Sequence, residues 1–177
     1  MAKKRKLKIM VSSTVYGSQE LLEQIAAILR QQFGYDVIMS REGSVPIEHI
    51  DNPEGACIQA VNDCDLFLGI IFPRYGSGIT HKEFKEAVRI GKPRWFVAHE
   101  KIEYLRKLFE PYLFDEHKQR TDFELKKNTV LDSIKVIDMY NDVRHNWVQS
   151  FSNPGELLFF VEQQFKDHNK RLKELVI

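Results

Sequence analysis

The chain has 177 residues, of which 43% are hydrophobic and 29% charged, and its formal net charge is +1. A chain of this length and composition buries a substantial core, so intrinsic disorder is excluded, and its near-neutral charge gives no general attraction to nucleic acid or anionic lipid. Five of the first eight residues are basic. We interpret them as a solvent-exposed N-terminal segment, with a nucleic-acid-binding arm as the disfavoured alternative.

No apolar segment has the length of a membrane span or the pattern of a signal peptide, so we expect a cytoplasmic protein with no membrane partner. The two cysteines, Cys57 and Cys64, are seven positions apart, which suits small core residues on one face of a helix. The histidine spacing indicates no metal site, and we expect no required cofactor. We predict a single α/β domain over residues 1–177, with a basic lead (1–6), a core (7–98), a charged helical excursion with the last strand (99–150) and a C-terminal helix (151–177).

Apolar runs and helical periodicities alternate along the chain. The run at 65–72 (DLFLGIIF) is apolar at nearly every position, which is typical of a central strand buried on both faces of a parallel sheet. We therefore predict a three-layer, flavodoxin-like α/β fold with a mostly parallel sheet of about five strands. The predicted strands are residues 7–11, 35–39, 65–72, 94–98 and 134–139, and the predicted helices are 18–33, one beginning near 52, 80–90, 100–110 (interrupted by Pro111) and one beginning near 152.

Polar loops follow the first and third predicted strands, with the sequences SSTVYG and PRYGSGIT. Because ligands of parallel sheets bind outside the carboxyl ends of the strands, we expect the two loops to share a cleft suited to a ribose, a phosphate or a nucleotide. Neither a P-loop nor a G-x-G-x-x-G pattern is present. The candidate ligand-binding residues are Ser12, Ser13, Thr14, Tyr16, Arg74, Tyr75, Gly76, Ser77 and Thr80.

Glu83 is the candidate catalytic residue. It lies about one turn into the helix that follows the third strand, where a carboxylate could act as a nucleophile or stabilise a sugar cation. The alternative is structural, because a glutamate near a helix N-terminus stabilises the first turn. His81 lies two positions earlier and would point in another direction, so we interpret it as solvated or capping.

The segments KIMVSSTVYG, FGYDV, CDLFLGIIFPRYGSGITHKEF and GKP resemble a bacterial family of uncharacterised "SST" domains, which is grouped with TIR-like and nucleoside deoxyribosyltransferase-like folds. The resemblance covers about residues 8–98 and continues weakly in FSNPGELLFFVEQQF. It implies a TIR-like fold. In the related deoxyribosyltransferases and NAD-cleaving TIR enzymes, a glutamate placed like Glu83 acts on the anomeric carbon of the sugar.

The chain departs from the deoxyribosyltransferase pattern at two places. Those enzymes carry an aspartate where this chain has Ser77-Gly78, and a second acid on the preceding helix where it has Ala56-Cys57-Ile58. The resemblance implies a nucleotide or nucleoside ligand and cleavage of an N-glycosidic bond, with NAD as one candidate substrate, in bacterial defence or signalling. The alternative is a non-catalytic module for protein interaction, and assembly into a homo-oligomer stays open.

Overall fold

The core of the protein is a five-stranded parallel sheet with the strand order β2-β1-β3-β4-β5. The computed structural model describes residues 5–14, 18–39 and 52–174. β3 is the central strand, and all six of its residues are buried, as the uninterrupted apolar run predicts. The strands are β1 (Lys8–Ser13), β2 (Asp36–Ile38), β3 (Leu66–Ile71), β4 (Arg94–His99) and β5 (Val148–Phe151).

Six α-helices are present in the described part of the chain. The first continues into a π-helical segment, Ile28–Gln32, and Gly34 follows it with a φ of 71°. The second begins at Asn52, whose side chain accepts a hydrogen bond from the Gly55 N–H. The helices are α1 (Gln19–Ala27), α2 (Pro53–Asp63), α3 (Ile79–Arg89), α4 (Glu100–Leu113), α5 (Lys135–Val143) and α6 (Pro154–Glu174).

The helices lie in two layers, one on each face of the sheet. α1 contacts α6 on one face; on the other face α2 contacts α3, α3 contacts α5, and α5 contacts α4. Successive residues of a strand point to opposite faces, so β1 contributes Ile9 and Val11 to the α1–α6 side and Met10 to the other. The predicted three-layer, flavodoxin-like α/β fold is confirmed.

The fifth strand was predicted at the wrong place. Residues 134–139 begin α5, and the strand is Val148–Phe151. In α5 the buried residues Val136, Met139 and Val143 recur every three to four positions, which is the period of a helix packed on one side. The true strand has only four residues, two of them polar, because it lies at the edge of the sheet.

Pro111 does not interrupt α4, contrary to the prediction. The helix continues to Leu113, with Pro111 inside its last two turns and exposed to solvent. At this position the proline removes one hydrogen bond, to the carbonyl four residues earlier, and its ring points outward. The buried Leu113 keeps the last turn on the core.

The strand order reverses between β1 and β3, since β1 pairs with β2 on one side and with β3 on the other. The carboxyl ends of β1 and β3 are therefore adjacent, with Ser12 opposite Gly69 and Ser13 opposite Ile70. This is the edge at which parallel sheets bind ligands. None of the described helices combines the length and the apolar character needed to cross a membrane.

Candidate functional site

The end of β1 meets α3 through a hydrogen bond from the Ser12 hydroxyl to Oε2 of Glu83. The two residues are 71 positions apart in the sequence and both are buried, with exposures of 3% and 2%. Glu83 is the fifth residue of α3, beyond the first turn, and its hydrogen-bond partner Ser12 is a side chain of the sheet. Stabilisation of a helix N-terminus therefore does not explain this carboxylate.

Burial raises the pKa of Glu83, and the Ser12 hydroxyl and the Cys57 thiol lower it by stabilising the charged form. The same burial, together with the adjacent Glu83, raises the pKa of Cys57 to about 12. No cation pairs with Glu83 among the described residues, and none of them gives its Oε1 a well-formed hydrogen bond. The site is thus a buried carboxyl with the Ser12 hydroxyl on one oxygen, the Cys57 thiol beside it, and no well-formed hydrogen bond from a described residue to the other oxygen.

Thr14 ties the loop after β3 to the end of β1. Its hydroxyl donates to the Arg74 carbonyl at 2.8 Å. Gly76 follows with a φ of 64°, and a Cβ placed there would lie 2.9 Å from the Thr14 methyl group. A glycine is required at this position because of both its backbone conformation and the close approach of Thr14.

Asp132 holds the same loop from the other side. Its carboxylate accepts hydrogen bonds from the Tyr75 N–H at 2.9 Å and from the Gly76 N–H at 3.5 Å. Asp132 lies in the stretch between α4 and α5, in which the sequence indicated no functional residue. Its separation of 57 residues from Tyr75 leaves no local signal by which it could have been found.

His81 is buried within a chain of polar side chains, and its interpretation as solvated or capping was wrong. The Tyr75 hydroxyl lies 3.0 Å from Nδ1 of His81, and Oδ2 of Asp142 lies 2.8 Å from Nε2. Lys85 is paired with Asp142 at 3.1 Å. This arrangement fixes the ring of His81 and joins the loop to α3 and α5.

The structure brings only part of the predicted ligand-binding set together. The Arg74 guanidinium reaches the Pro73 and Thr129 carbonyls, at 3.2 and 3.4 Å, and does not face the carboxylate site. Ser13 is buried with no partner for its hydroxyl among the described residues. Ser77 is exposed, Thr80 is half-buried on α3, and Tyr16 lies outside the described residues.

Two further features bear on metal or redox chemistry. Cys57 and Cys64 are both buried and free, in agreement with their interpretation as core residues. Within the ranges that the structure describes, no three His, Cys, Asp or Glu side chains are grouped so as to hold a metal ion.

The fold and the site define an α/β domain with a parallel flavodoxin-like sheet and a buried carboxyl at its carboxyl edge. The chain belongs to the family of DUF4062, a domain of unknown function, whose model matches residues 8–165. This match confirms the predicted membership of a family of domains of unknown function. The relation to TIR-like and deoxyribosyltransferase-like folds stays a prediction.

One solved structure with a similar fold is the crystal structure of a conserved protein from Enterococcus faecalis V583. It is 16% identical, the alignment covers 90% of this chain and 99% of that chain, and the TM-score is 0.50. A similarity at this level of identity concerns the fold alone. None of the curated proteins searched matches the chain.

Proposed function

We propose that this protein binds a nucleoside or nucleotide and cleaves its N-glycosidic bond, with Glu83 acting on the anomeric carbon. The observation that carries the proposal is the buried Glu83 carboxyl at the carboxyl edge of the sheet, which has no cationic partner among the described residues. A buried carboxyl without a structural counter-ion is costly to folding, and such groups are concentrated at functional sites.

Glu83 would supply a negative charge at the sugar. As the bond between the anomeric carbon and the base nitrogen breaks, its electron pair leaves with the base and positive charge develops on the sugar ring. Glu83 either bonds to the anomeric carbon or stabilises that cation. Water then adds to the carbon, the bond to Glu83 breaks where it has formed, and a proton of the water passes to solvent. The hydrogen bond from Ser12 favours the charged form of Glu83 that this step needs.

The neighbours of Glu83 favour a substrate whose base leaves without being protonated. Its described partners are the Ser12 hydroxyl and the Cys57 thiol, and a thiol with a pKa of about 12 is a poor proton donor to a leaving base. The nicotinamide of NAD is positively charged in the substrate and leaves as a neutral molecule. NAD is therefore the first substrate to test, ahead of adenosine or other nucleosides. Because Glu83 is only 2% exposed, a bound substrate must displace the packing around its free oxygen.

The test follows the release of free base from NAD and from a panel of nucleosides by liquid chromatography. We expect wild type to release nicotinamide and Glu83→Gln to lose at least about 100-fold of the rate, because the amide keeps the shape and removes the charge. Glu86→Gln, on the same helix, is the matched control and should keep the activity. Release of no base by folded wild type would contradict the proposal.

A second candidate, a protein-interaction module, is favoured by the outer face of α4. Tyr104, Leu108 and Tyr112 follow one another at four-residue intervals and are 69%, 50% and 59% exposed. An exposed apolar stripe of this kind is typical of a surface that another protein covers. This function would be favoured if wild type releases no base but associates in a concentration-dependent manner. Leu108→Glu should then abolish the association, and Val130→Glu should keep it.

A further inference from the structure

A cleft of about 830 Å³ lies at the carboxyl edge of the sheet, on the α1–α6 side. Its apolar part includes Phe72 and Phe151, whose rings meet edge to face with centroids 5.5 Å apart. The ring of His99 packs on Phe151 in the same manner, at 5.4 Å. The first turns of α1 and the start of α6 line the remainder, with Gln24 and Asn153 among the polar groups.

The cleft and Glu83 lie on opposite sides of the sheet. Phe72 and Phe151 belong with the apolar cluster beneath α1 and α6, whereas Glu83 projects from α3, which packs on the other face. The side chains that line the cleft do not include Ser12 or Glu83. A molecule bound in the cleft would therefore occupy a site separate from the proposed catalytic one.

His99 gives the cleft a hydrogen-bond donor. Its Nδ1 accepts the N–H of Lys101 at 3.2 Å at the start of α4, which leaves the proton of the neutral ring on Nε2. Burial lowers the pKa of His99, which favours this neutral form. The Nε2–H has no acceptor among the described residues.

The charges around the cleft disfavour an anion. Glu20 is the charged side chain among the described lining residues, and no lysine or arginine accompanies it there. The N-terminus of each neighbouring helix also carries its own carboxylate, Glu20 in α1 and Glu156 in α6. The Glu156 carboxylate accepts a hydrogen bond from the Ser152 N–H at 2.7 Å, so the positive end of the α6 dipole already has a negative charge beside it.

We propose that the cleft is a second binding site, which takes an uncharged planar heteroaromatic ring such as the base of a nucleoside. Edge-to-face aromatic rings provide apolar walls for such a ring, and His99 and the amide side chains provide polar contacts to its edge. The volume accommodates a nucleoside-sized molecule. The proposal does not depend on any activity of Glu83.

Titration calorimetry with adenosine, guanosine, uridine and nicotinamide tests the site, in wild type and in Glu83→Gln, in which turnover during the titration should be strongly reduced. We expect at least one of these probes to bind with saturation in both proteins. A nucleoside that binds should lose at least about fivefold in affinity when it carries a 5′-phosphate, because the described lining of the cleft offers Glu20 and no cation.

Two variants locate the binding. Gln24→Trp fills the cleft from an exposed position, and His99→Asn keeps an acceptor for the Lys101 N–H while removing the Nε2–H donor. Each should weaken binding at least about tenfold. Gln31→Trp, an exposed glutamine farther along the same helical segment and outside the cleft, should leave binding unchanged.

Three results would overturn the proposal. They are no saturable binding of any probe by folded wild type, binding that neither cleft variant weakens, and binding that is lost in Glu83→Gln. The outcome is distinct from that of the catalytic proposal: a wild type that releases no base but binds adenosine in a Gln24-dependent manner refutes the first proposal and supports this one.

Discussion

The Ser12 hydroxyl donates a hydrogen bond to the Glu83 carboxylate and so joins the end of the first strand to the third helix. The parallel pairing of β1 with β3 fixes the position of Ser12 along the sheet, opposite Gly69. The packing of α3 on the face to which Ser12 points fixes the position of Glu83. This hydrogen bond is the main force that opposes the effect of burial on the pKa of Glu83. A substitution of Ser12 should therefore change the pKa of Glu83.

Ser12→Ala should destabilise the fold by about 1–3 kcal/mol, because it removes the hydroxyl donor of a buried carboxyl. The neighbouring Ser13→Ala is the matched control. Ser13 is also buried but its hydroxyl has no partner among the described residues, so its removal should change stability little. Urea denaturation measures both. Equal losses in the two variants would contradict the importance of the Ser12–Glu83 hydrogen bond.

The pKa of Glu83 also predicts how stability depends on pH. Because burial raises this pKa above its ordinary value of 4.5, the folded protein holds the proton to a higher pH than the unfolded chain does. The contribution of Glu83 to the stability of the fold is therefore largest at pH values below its ordinary pKa, and it is lost as pH rises through the raised pKa.

Glu83→Gln resembles the protonated form and does not titrate. The free energy of unfolding of wild type, minus that of Glu83→Gln, should fall as pH rises from 4 to 8. The titratable groups that both proteins share cancel in this difference. Cys57, with a pKa of about 12, does not titrate in this range. Denaturation of both proteins at several pH values measures the difference. A difference that rises with pH would show that the pKa is lowered.

The sheet was predictable from local patterns because its inner strands are long apolar runs. The central strand, Leu66–Ile71, is buried at every residue, as its uninterrupted apolar sequence predicts for a strand covered on both faces. The edge strand β5 gave no such signal. Val148–Phe151 is short and half polar, so the helical stripe of α5 was mistaken for it.

Much less of the candidate site could be predicted. The strand ends placed Ser12 and Glu83 near one edge, but spacing cannot show that their side chains meet. Asp132 and Asp142 were missed altogether. Their partners, Tyr75 and His81, are 57 and 61 residues away, and contacts of that separation depend on how the helices pack rather than on a local motif.

Asp132→Ala should loosen the loop after β3 without unfolding the sheet. The Asp132 carboxylate accepts the Tyr75 N–H at 2.9 Å, and the variant leaves that donor without its partner. Hydrogen exchange should become at least about tenfold faster at the Tyr75 and Gly76 amides. Amides of β3 should be unaffected. Asp122→Ala, an exposed aspartate of the same connecting stretch, is the control, and equal acceleration in both variants would contradict the prediction.

Gly69→Ala should destabilise the protein more than Gly34→Ala, because the two glycines are required for different reasons. At Gly69, in the central strand, a Cβ would lie 2.6 Å from Cδ1 of Phe96 and 2.9 Å from Cζ of Phe84, so two fully buried rings would have to move. Overpacking of this kind costs about 1–3 kcal/mol or more. At Gly34 no atom of the described residues lies within 4 Å of an added Cβ, and the φ of 71° is what opposes a side chain, at a cost of about 1 kcal/mol. Urea denaturation of the two variants gives the comparison. A smaller loss for Gly69→Ala would mean that the Phe84–Phe96 pair repacks freely, contrary to the close packing of α3 on the sheet.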